Sequence, residues 1–507
     1  MGMQNSPLLM SRLVDRGATV SPNADIVTAT EEGSRTQTYA ETRDRAHQLA
    51  HALTDVGIGI GDRVGTFMWN GSRHLEAYHA TAGMGAVLHT LNVRLSETDL
   101  EYIINHAGDR LIIADADALP LLEKLSGRIP TVERVVVATE AGFEDWTTSL
   151  PEAVDYEAFI QGKPTHFEWP EISENAPLGL CYTSGTTGRP KGVEYEHRSQ
   201  YLHTIAQCMT DSMGLSGADA VCGIVPMFHV MGWGIPWSAL MLGCKQVMPH
   251  RFMDPARLVR LMADEKVTLS AGVPTIWQGV KSAIEANPNA YDLSSLERLT
   301  CGGSAPPPSL IRWYWDVLGV EMIQGWGMTE TSPLATLSRR VMKRSHLEMT
   351  LDQQFDNVAK AGQLIPGLEL DIFDEEFNRV PHDGESVGEI LVRGPWICSE
   401  YFNDPQPEKF HGDWLITGDV GKIDPEEYLI ISDRSKDLVK SGGEWISSVD
   451  LENHIVAMDG IVQACVVAHP HPRWDERPVA LVILEPGVDV EPEGILEHCA
   501  TAFAKWQ

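Results

Sequence analysis

Cysteine is sparse and unpatterned, with eight in 507 residues and no Cys-x-x-Cys spacing. That excludes a disulfide framework and a zinc site. Cys181, Cys208, Cys222, Cys244, Cys301, Cys398, Cys465 and Cys499 sit mostly in apolar contexts, so a reducing cytoplasm is the simplest compartment. Long hydrophobic runs are missing as well. No apolar stretch reaches the roughly 20 residues that a spanning helix needs, and no secretory leader is legible, so no integral membrane segment is expected. Basic charge is the third shortage, since 39 Lys and Arg against 71 Asp and Glu give a net charge of −32. An acidic balance of this size excludes a general nucleic-acid or anionic-membrane surface and leaves a polyanion only a local basic pocket. Internal repeats and low-complexity segments are also absent. What is present, 43% hydrophobic and 22% charged residues, is the composition of a globular protein, in a chain longer than one core usually supports. At least two domains are expected.

One stretch stands out against this background: Tyr182-Thr183-Ser184-Gly185-Thr186-Thr187-Gly188-Arg189-Pro190-Lys191-Gly192. It follows an apolar run, Leu178-Gly179-Leu180-Cys181, that reads as the end of a buried strand. Glycines let a backbone approach closely, exposed N–H groups form an anion-binding nest, and hydroxyls add donors. Lys191 supplies a cation for phosphate. The loop is not a Walker loop, because Gly185 does not meet that spacing and Pro190 prevents a helix from starting in the Walker manner. A flexible linker would explain the composition but not the abrupt strand before it.

Residues 1–180 alternate helices and strands. Thr38-Tyr39-Ala40-Glu41 is a capping box; Ala46, Leu49, Ala50 and Leu53 recur at helical spacing behind it, and Gly57 closes the helix. Short buried strands are expected at 63–68, 86–90, 111–114 and 134–138. After the glycine- and hydroxyl-rich loop, four further strands deliver loops: Pro226-Met227-Phe228-His229-Val230-Met231-Gly232-Trp233, Val273-Pro274-Thr275-Ile276-Trp277, Cys301-Gly302-Gly303-Ser304-Ala305-Pro306 and Gln324-Gly325-Trp326-Gly327-Met328-Thr329-Glu330-Thr331. In open α/β sheets ligands sit at the carboxyl ends of strands, so these loops are the candidate walls of a pocket. Residues 340–400 suggest a small β subdomain. The expected fold is therefore α/β: a large N-terminal domain of two parallel-rich sheets covered by helices, with that β subdomain, followed by a small α+β C-terminal domain. The domains are drawn at 1–435 and 436–507.

The loop at 182–192 resembles the phosphate loop of the adenylate-forming superfamily, which includes acyl-CoA synthetases, luciferases and peptide-synthetase adenylation domains. Motifs in family order cover almost the whole chain. The resemblance implies ATP, Mg2+ and coenzyme A as cofactors and a carboxylic acid as partner, leaves a homodimer open, and implies that the small domain is mobile. Catalysis would fall to Lys191, Thr329, Glu330 and His229. ATP or AMP would be bound by Thr183, Ser184, Gly185, Thr186, Thr187, Gly188, Gly303, Ser304, Ala305, Gly325, Trp326, Gly327, Met328, Asp419 and Arg434. Thr187 and Glu330 would hold the metal, and a carboxylate with hydroxyl neighbours suits a hard cation. Trp326 replaces the more usual tyrosine of that motif. Asp419 in Thr417-Gly418-Asp419 would accept from ribose hydroxyls, and Arg434 would contact ribose and phosphate. Lys436 falls at the hinge position, and Ser441, Gly442, Gly443, Glu444 and Trp445 match the segment brought to the thiol tunnel. His229, Val230, Trp233, Trp277, Gly302 and Gly327 would line the acyl pocket.

The implied reaction has two halves. A carboxylate attacks the α-phosphate of ATP to give acyl-AMP and pyrophosphate, and a thiol then takes the acyl group and releases AMP. Amino-acid-activating relatives place an aspartate in the pocket; here 227–233 carries no carboxylate, which favours an uncharged tail. The run 433–448 is most similar to short/medium-chain fatty acyl-CoA ligases, a group that includes 3-methylthiopropionate–CoA ligases. A 3-methylthiopropionate- or aryl-acid-specific CoA ligase and an acyl-AMP ligase loading a carrier protein are the alternatives. One departure is that no Thr-Gly-Lys motif, the family's place for the adenylation lysine, follows Arg434. The expectation is that the given chain stops short of it.

Overall fold

A computed structural model describes residues 2–140, 142–183, 189–434, 439–441, 444–471, 475–484 and 487–503. The chain forms two compact units, Met1–Leu368 with Gly394–Glu408, and Glu369–Arg393 with Lys409–Gln507. The expected boundary at 435/436 lies inside the second unit. Hydrogen bonds cross it: Asp433 Oδ2 accepts from the Ser448 N–H at 2.6 Å, and the Ser447 hydroxyl donates to the Ser432 carbonyl at 2.6 Å. A carboxylate at the first turn of the helix Ser448–Val456 satisfies a donor that the helix itself leaves open.

The first unit holds two α/β sheets, as the alternation of periods implies. In the seven-stranded sheet the order is Val154–Asp155, Arg134–Ala138, Leu111–Asp115, Arg63–Phe67, Val87–Thr90, Pro177–Tyr182, Gly192–Glu196. All neighbours are parallel except the last pair. Leu111–Asp115 is buried at every position, the pattern of a strand covered on both faces. The nine-stranded sheet runs Gln363–Leu364, Leu334–Ser338, Glu321–Gly327, Arg298–Cys301, Leu269–Gly272, Ala220–Cys222, Lys245–Met248, Asp25–Ala29, Ser34–Thr38. Its six central strands are parallel.

Local chemistry sets the helix ends. The Thr38 capping box starts Tyr39–Asp55, and Gly85 and Gly108 close their helices in the left-handed region. Pro274 and Pro308 open helices at the first turn, where a missing N–H costs nothing, so 273–277 becomes a helix start and not a loop.

The second unit contains an antiparallel five-stranded sheet built from Glu369–Phe373, Gly388–Arg393, Phe410–His411, Trp414–Ile423 and Leu429–Arg434. It also contains an antiparallel four-stranded sheet of Val439–Ser441, Glu444–Ile446, Ile461–His471 and Asp475–Leu484, with the helices Ser448–Val456 and Pro492–Cys499. Among the described residues no helix is long and apolar enough to cross a membrane.

Candidate active site

The strands Pro177–Tyr182 and Gly192–Glu196 form an antiparallel pair whose connection carries the glycine- and hydroxyl-rich loop. Its neck is closed twice: the Thr183 N–H donates to the Lys191 carbonyl at 2.9 Å, and the Lys191 N–H donates to Thr183 Oγ1 at 3.2 Å. Ser184, Gly185, Thr186, Thr187 and Gly188 lie outside the described residues. The segment 394–408 runs past this neck, with the Phe402 N–H donating to the Gly192 carbonyl at 2.8 Å. From it the Gln406 amide oxygen accepts from Lys191 Nζ, and the Tyr401 ring lies 5.0 Å from the same ammonium.

Tyr401 also reaches the second motif. Its hydroxyl donates to Glu330 Oε1 at 2.7 Å, and the Cys398 N–H donates to the Glu330 carbonyl at 2.9 Å. Thr329 and Glu330 form a short turn, both buried, and the Tyr195 hydroxyl anchors the Thr329 carbonyl at 2.8 Å. Burial and the neighbouring Glu330 carboxylate push the Tyr401 phenol well above its usual range, so it donates and does not ionise. Gly327 is obligatory where the strand turns, because a Cβ there would stand 1.7 Å from the Pro333 carbonyl oxygen. A cation, a carboxylate and two threonines thus converge in one unit. Carboxylate and hydroxyl oxygens are donors of the type Mg2+ prefers, so Glu330 fits the metal that the motif implies.

The third group surrounds Trp233. Its indole lies 3.0 Å from where a Gly302 side chain would begin, and the Gly325 carbonyl is 3.1 Å from the same point. Gly303, Ser304 and Ala305 follow as an exposed loop, and Trp326 is buried beside Gly325 and Gly327. His229 is exposed, yet the protein around it lowers its imidazole pKa by desolvation. Behind it comes an unusual backbone. Val230, Met231, Gly232, Trp233 and Gly234 have φ of 46°, 50°, 63°, 57° and 73°, one left-handed turn. Each non-glycine residue there costs on the order of 1–2 kcal/mol, so the surroundings must enforce the conformation. Trp277 does not join this group. It is fully buried in the core with Tyr314 and Leu299, and its indole N–H donates to the Thr300 carbonyl at 3.2 Å.

In the second unit the backbones of Asp419 and Arg434 are register partners in one antiparallel ladder. Asp419 is buried, its N–H donates to Thr417 Oγ1 at 3.1 Å, and Gly418 has φ 75°. Ser441 and Glu444 pair in a hairpin that includes Trp445. Lys436, Gly442 and Gly443 lie outside the described residues.

Reasoning from sequence missed Tyr401, Gln406, Asn70 and Tyr78. The pair Tyr401-Phe402 ahead of an Asn-Asp-Pro turn was the one signal available for the first two.

Another cluster invites a metal reading and fails it. Asp15, His47 and His79 bring one ligand atom each within 4.8 Å. Burial, with His79 alongside, pushes His47 down to about 4, so its ring is neutral. Its Nδ1 accepts from the Phe167 N–H at 2.7 Å, which puts the ring proton on Nε2, the nitrogen facing Asp15. No lone pair is left there for an ion.

Comparison with known proteins gives the family and the fold. A family model described as AMP-binding enzyme matches residues 14–402, and one described as AMP-binding enzyme C-terminal domain matches 450–507. The chain is 42% identical over 506 residues to a 3-methylmercaptopropionyl-CoA ligase of Ruegeria lacuscaerulensis, covering 100% of this chain and 93% of that protein. It is 38% identical over 506 residues to a medium-chain-fatty-acid–CoA ligase of Ectopseudomonas oleovorans, covering 100% and 92%. In fold it is similar to the crystal structure of the anthranilate CoA ligase AuaEII in complex with anthranoyl-AMP. The TM-score is 0.85 at 24% identity, over 99% of this chain and 93% of that one.

Proposed function

The chain belongs to the AMP-binding enzyme family, and from that premise we propose that it is an acid–CoA ligase that activates a short- or medium-chain carboxylic acid as its acyl-AMP. ATP and coenzyme A are the co-substrates of this class of ligase, and Mg2+ is its metal. The observation that carries the reading is that Lys191 and Glu330 meet at Tyr401, with Thr183 hydrogen-bonded to the Lys191 backbone and Thr329 beside Glu330 in the same buried turn.

In the first half-reaction the acid's carboxylate attacks the α-phosphate of ATP, and pyrophosphate leaves. Lys191 and the hydroxyls of Thr183 and Thr329 hold the phosphate charge in place, so acceleration comes from positioning and electrostatics. Mg2+, when bound at Glu330, neutralises triphosphate charge. In the second half-reaction the CoA thiol attacks the acyl carbonyl, and AMP leaves. His229, neutral at pH 7, borders the acid. We further propose that Asp419 and Arg434 bind the ribose, that Lys436 is a hinge at a functional boundary of 435/436, and that the segment 441–445 serves thioester formation.

The tail of the acid is uncharged in this reading, because residues 227–233 offer no carboxylate to pair with an ammonium. Relatives named for 3-methylmercaptopropionate stand at 42% and 40% identity, and relatives named for long-chain and medium-chain fatty acids at 42% and 38%, so 3-methylmercaptopropionate is the alternative candidate beside a plain fatty acid. Eight free cysteines support a cytoplasmic place for the enzyme.

The test is AMP release with ATP, CoA and a panel of acids from acetate to dodecanoate, with 3-methylthiopropionate and benzoate included. Activity should require both acid and CoA. Acid-dependent pyrophosphate release with no CoA-dependent AMP would reassign the protein to an acyl-AMP ligase that loads another acceptor such as a carrier protein, and neither pyrophosphate nor AMP with any acid would end the reading.

A further inference from the structure

Met227 lies two residues before His229, and both of its backbone polar groups are held by side chains from elsewhere in the first unit. Its N–H donates to Asn70 Oδ1 at 2.7 Å, and its carbonyl accepts from the Tyr78 hydroxyl at 2.6 Å. The Asn70 amide nitrogen donates further to the Gly223 and Val225 carbonyls at 2.6 and 2.8 Å, so one buried side chain fixes three points of the segment leading to His229. Asn70 is itself pinned, since its carbonyl accepts from the His250 N–H at 3.1 Å and the Trp69 N–H beside it donates to Asp115 Oδ2 at 2.7 Å. Tyr78 sits on the helix Ser72–Met84 and is fully buried.

Downstream of the clamp the chain enters the left-handed turn 230–234, a backbone that Val230 and Trp233 do not adopt unaided. Two contacts fix its far side: Gln207 donates to the Trp233 carbonyl at 2.8 Å, and the Met231 methyl fills the place a side chain would take at Gly179. The near side has Asn70 and Tyr78. A buried asparagine that spends its hydrogen bonds on a loop and none on a strand ladder is set to fix that loop's position.

We propose that Asn70 and Tyr78 are positioning residues for acid binding, holding Met227 so that His229 and Trp233 stand at fixed places in the acyl site. This rests on the acid–CoA ligase reading. Neither residue touches substrate; both act through the 223–234 backbone.

Tyr78→Phe removes one hydrogen bond without changing shape, and Asn70→Ser removes the wider clamp. Tyr156→Phe is the control. Its hydroxyl donates to Glu76 Oε2 on the same helix at 2.6 Å and makes no contact with 223–234, so it reports the cost of losing any buried hydrogen bond there. Tyr78→Phe should raise KM for the acid by roughly threefold to tenfold, the effect of one such hydrogen bond, and Asn70→Ser, which loses three, by at least as much, with KM for ATP unchanged. The double variant should lose less than the product of the singles, because both act on Met227. Amide hydrogen exchange over 226–234 should quicken in both clamp variants and not in the control. Clamp variants that behave as Tyr156→Phe does, losing stability with no change in acid KM or in exchange, would overturn the proposal. Wild-type protein that makes no AMP from any acid would sink the ligase reading instead, and the exchange measurement would still show whether the clamp holds the turn. Quickened exchange with an unmoved acid KM in active enzyme would also overturn it.

Discussion

Tyr401 donates its hydroxyl to Glu330 at 2.7 Å while its ring faces the Lys191 ammonium at 5.0 Å. One aromatic side chain thereby joins a cation at the neck of the loop before Gly192–Glu196 and a carboxylate in the short turn Thr329–Thr331. The hydrogen bond fixes one oxygen of Glu330, and the ring offers the ammonium a cation–π face near the phosphate loop.

Removing that hydroxyl should be felt through the metal. Tyr401→Phe is expected to raise the Mg2+ concentration for half-maximal AMP formation by about tenfold, within the range seen when partners of a metal ligand are lost. A Mg2+ titration at fixed ATP measures it, and an unchanged titration would detach Tyr401 from the metal.

Lys191 should matter more. Lys191→Met keeps the stem and removes the charge, and kcat/KM for ATP should fall by about 10²–10³, the cost of deleting one electrostatic contact to a transition state. A loss of less than about threefold would remove Lys191 from the phosphate site.

Gly327 supplies a steric prediction. Gly327→Ala forces a methyl group against the Pro333 carbonyl, whereas Gly33→Ala meets nothing within 4 Å. Urea unfolding should show Gly327→Ala destabilised by roughly 1–3 kcal/mol or more, the usual cost of overpacking, with Gly33→Ala near wild type.

Buried histidines set an acid limit. Burial pushes His74 and His197 down to about 4 and His203 to about 3. Their unfolded values lie near 6.5, so below that pH the unfolded chain binds protons that the native protein refuses. Stability therefore falls as pH drops from about 6.5 towards 4. His250 and His382, raised by the carboxylates they meet, oppose this but are fewer. Thermal midpoints measured from pH 7.5 to 5 should decline; a rising midpoint would contradict the buried, neutral histidines.

Much of this molecule was readable from residue order alone. The Thr38 capping box, Gly57 just past the end of that helix and the apolar strands depend on neighbours a few residues apart, and they reappear as drawn. The strand that leads into the loop neck at Thr183 and Lys191 was legible for the same reason: an apolar strand running into glycine, hydroxyls and lysine is a local pattern. Trp277 was not, because a tryptophan after a strand looks the same in a pocket wall and in a core, and only the packing of Tyr314 and Leu299 around it decides.

The rest was settled by contacts between distant parts of the sequence. Tyr401 and Glu330 are 71 residues apart, and Asn70 and Met227 are 157 apart, so no periodicity or spacing links them. The turn at Val230–Gly234 shows the difference most plainly. Its two glycines permit a left-handed backbone, but propensity alone would keep Val230 and Trp233 out of it. That conformation exists because hydrogen bonds from Asn70, Tyr78 and Gln207 and the packing of Met231 on Gly179 hold the loop from both sides, an arrangement that forms only once the two sheets of the first unit have come together.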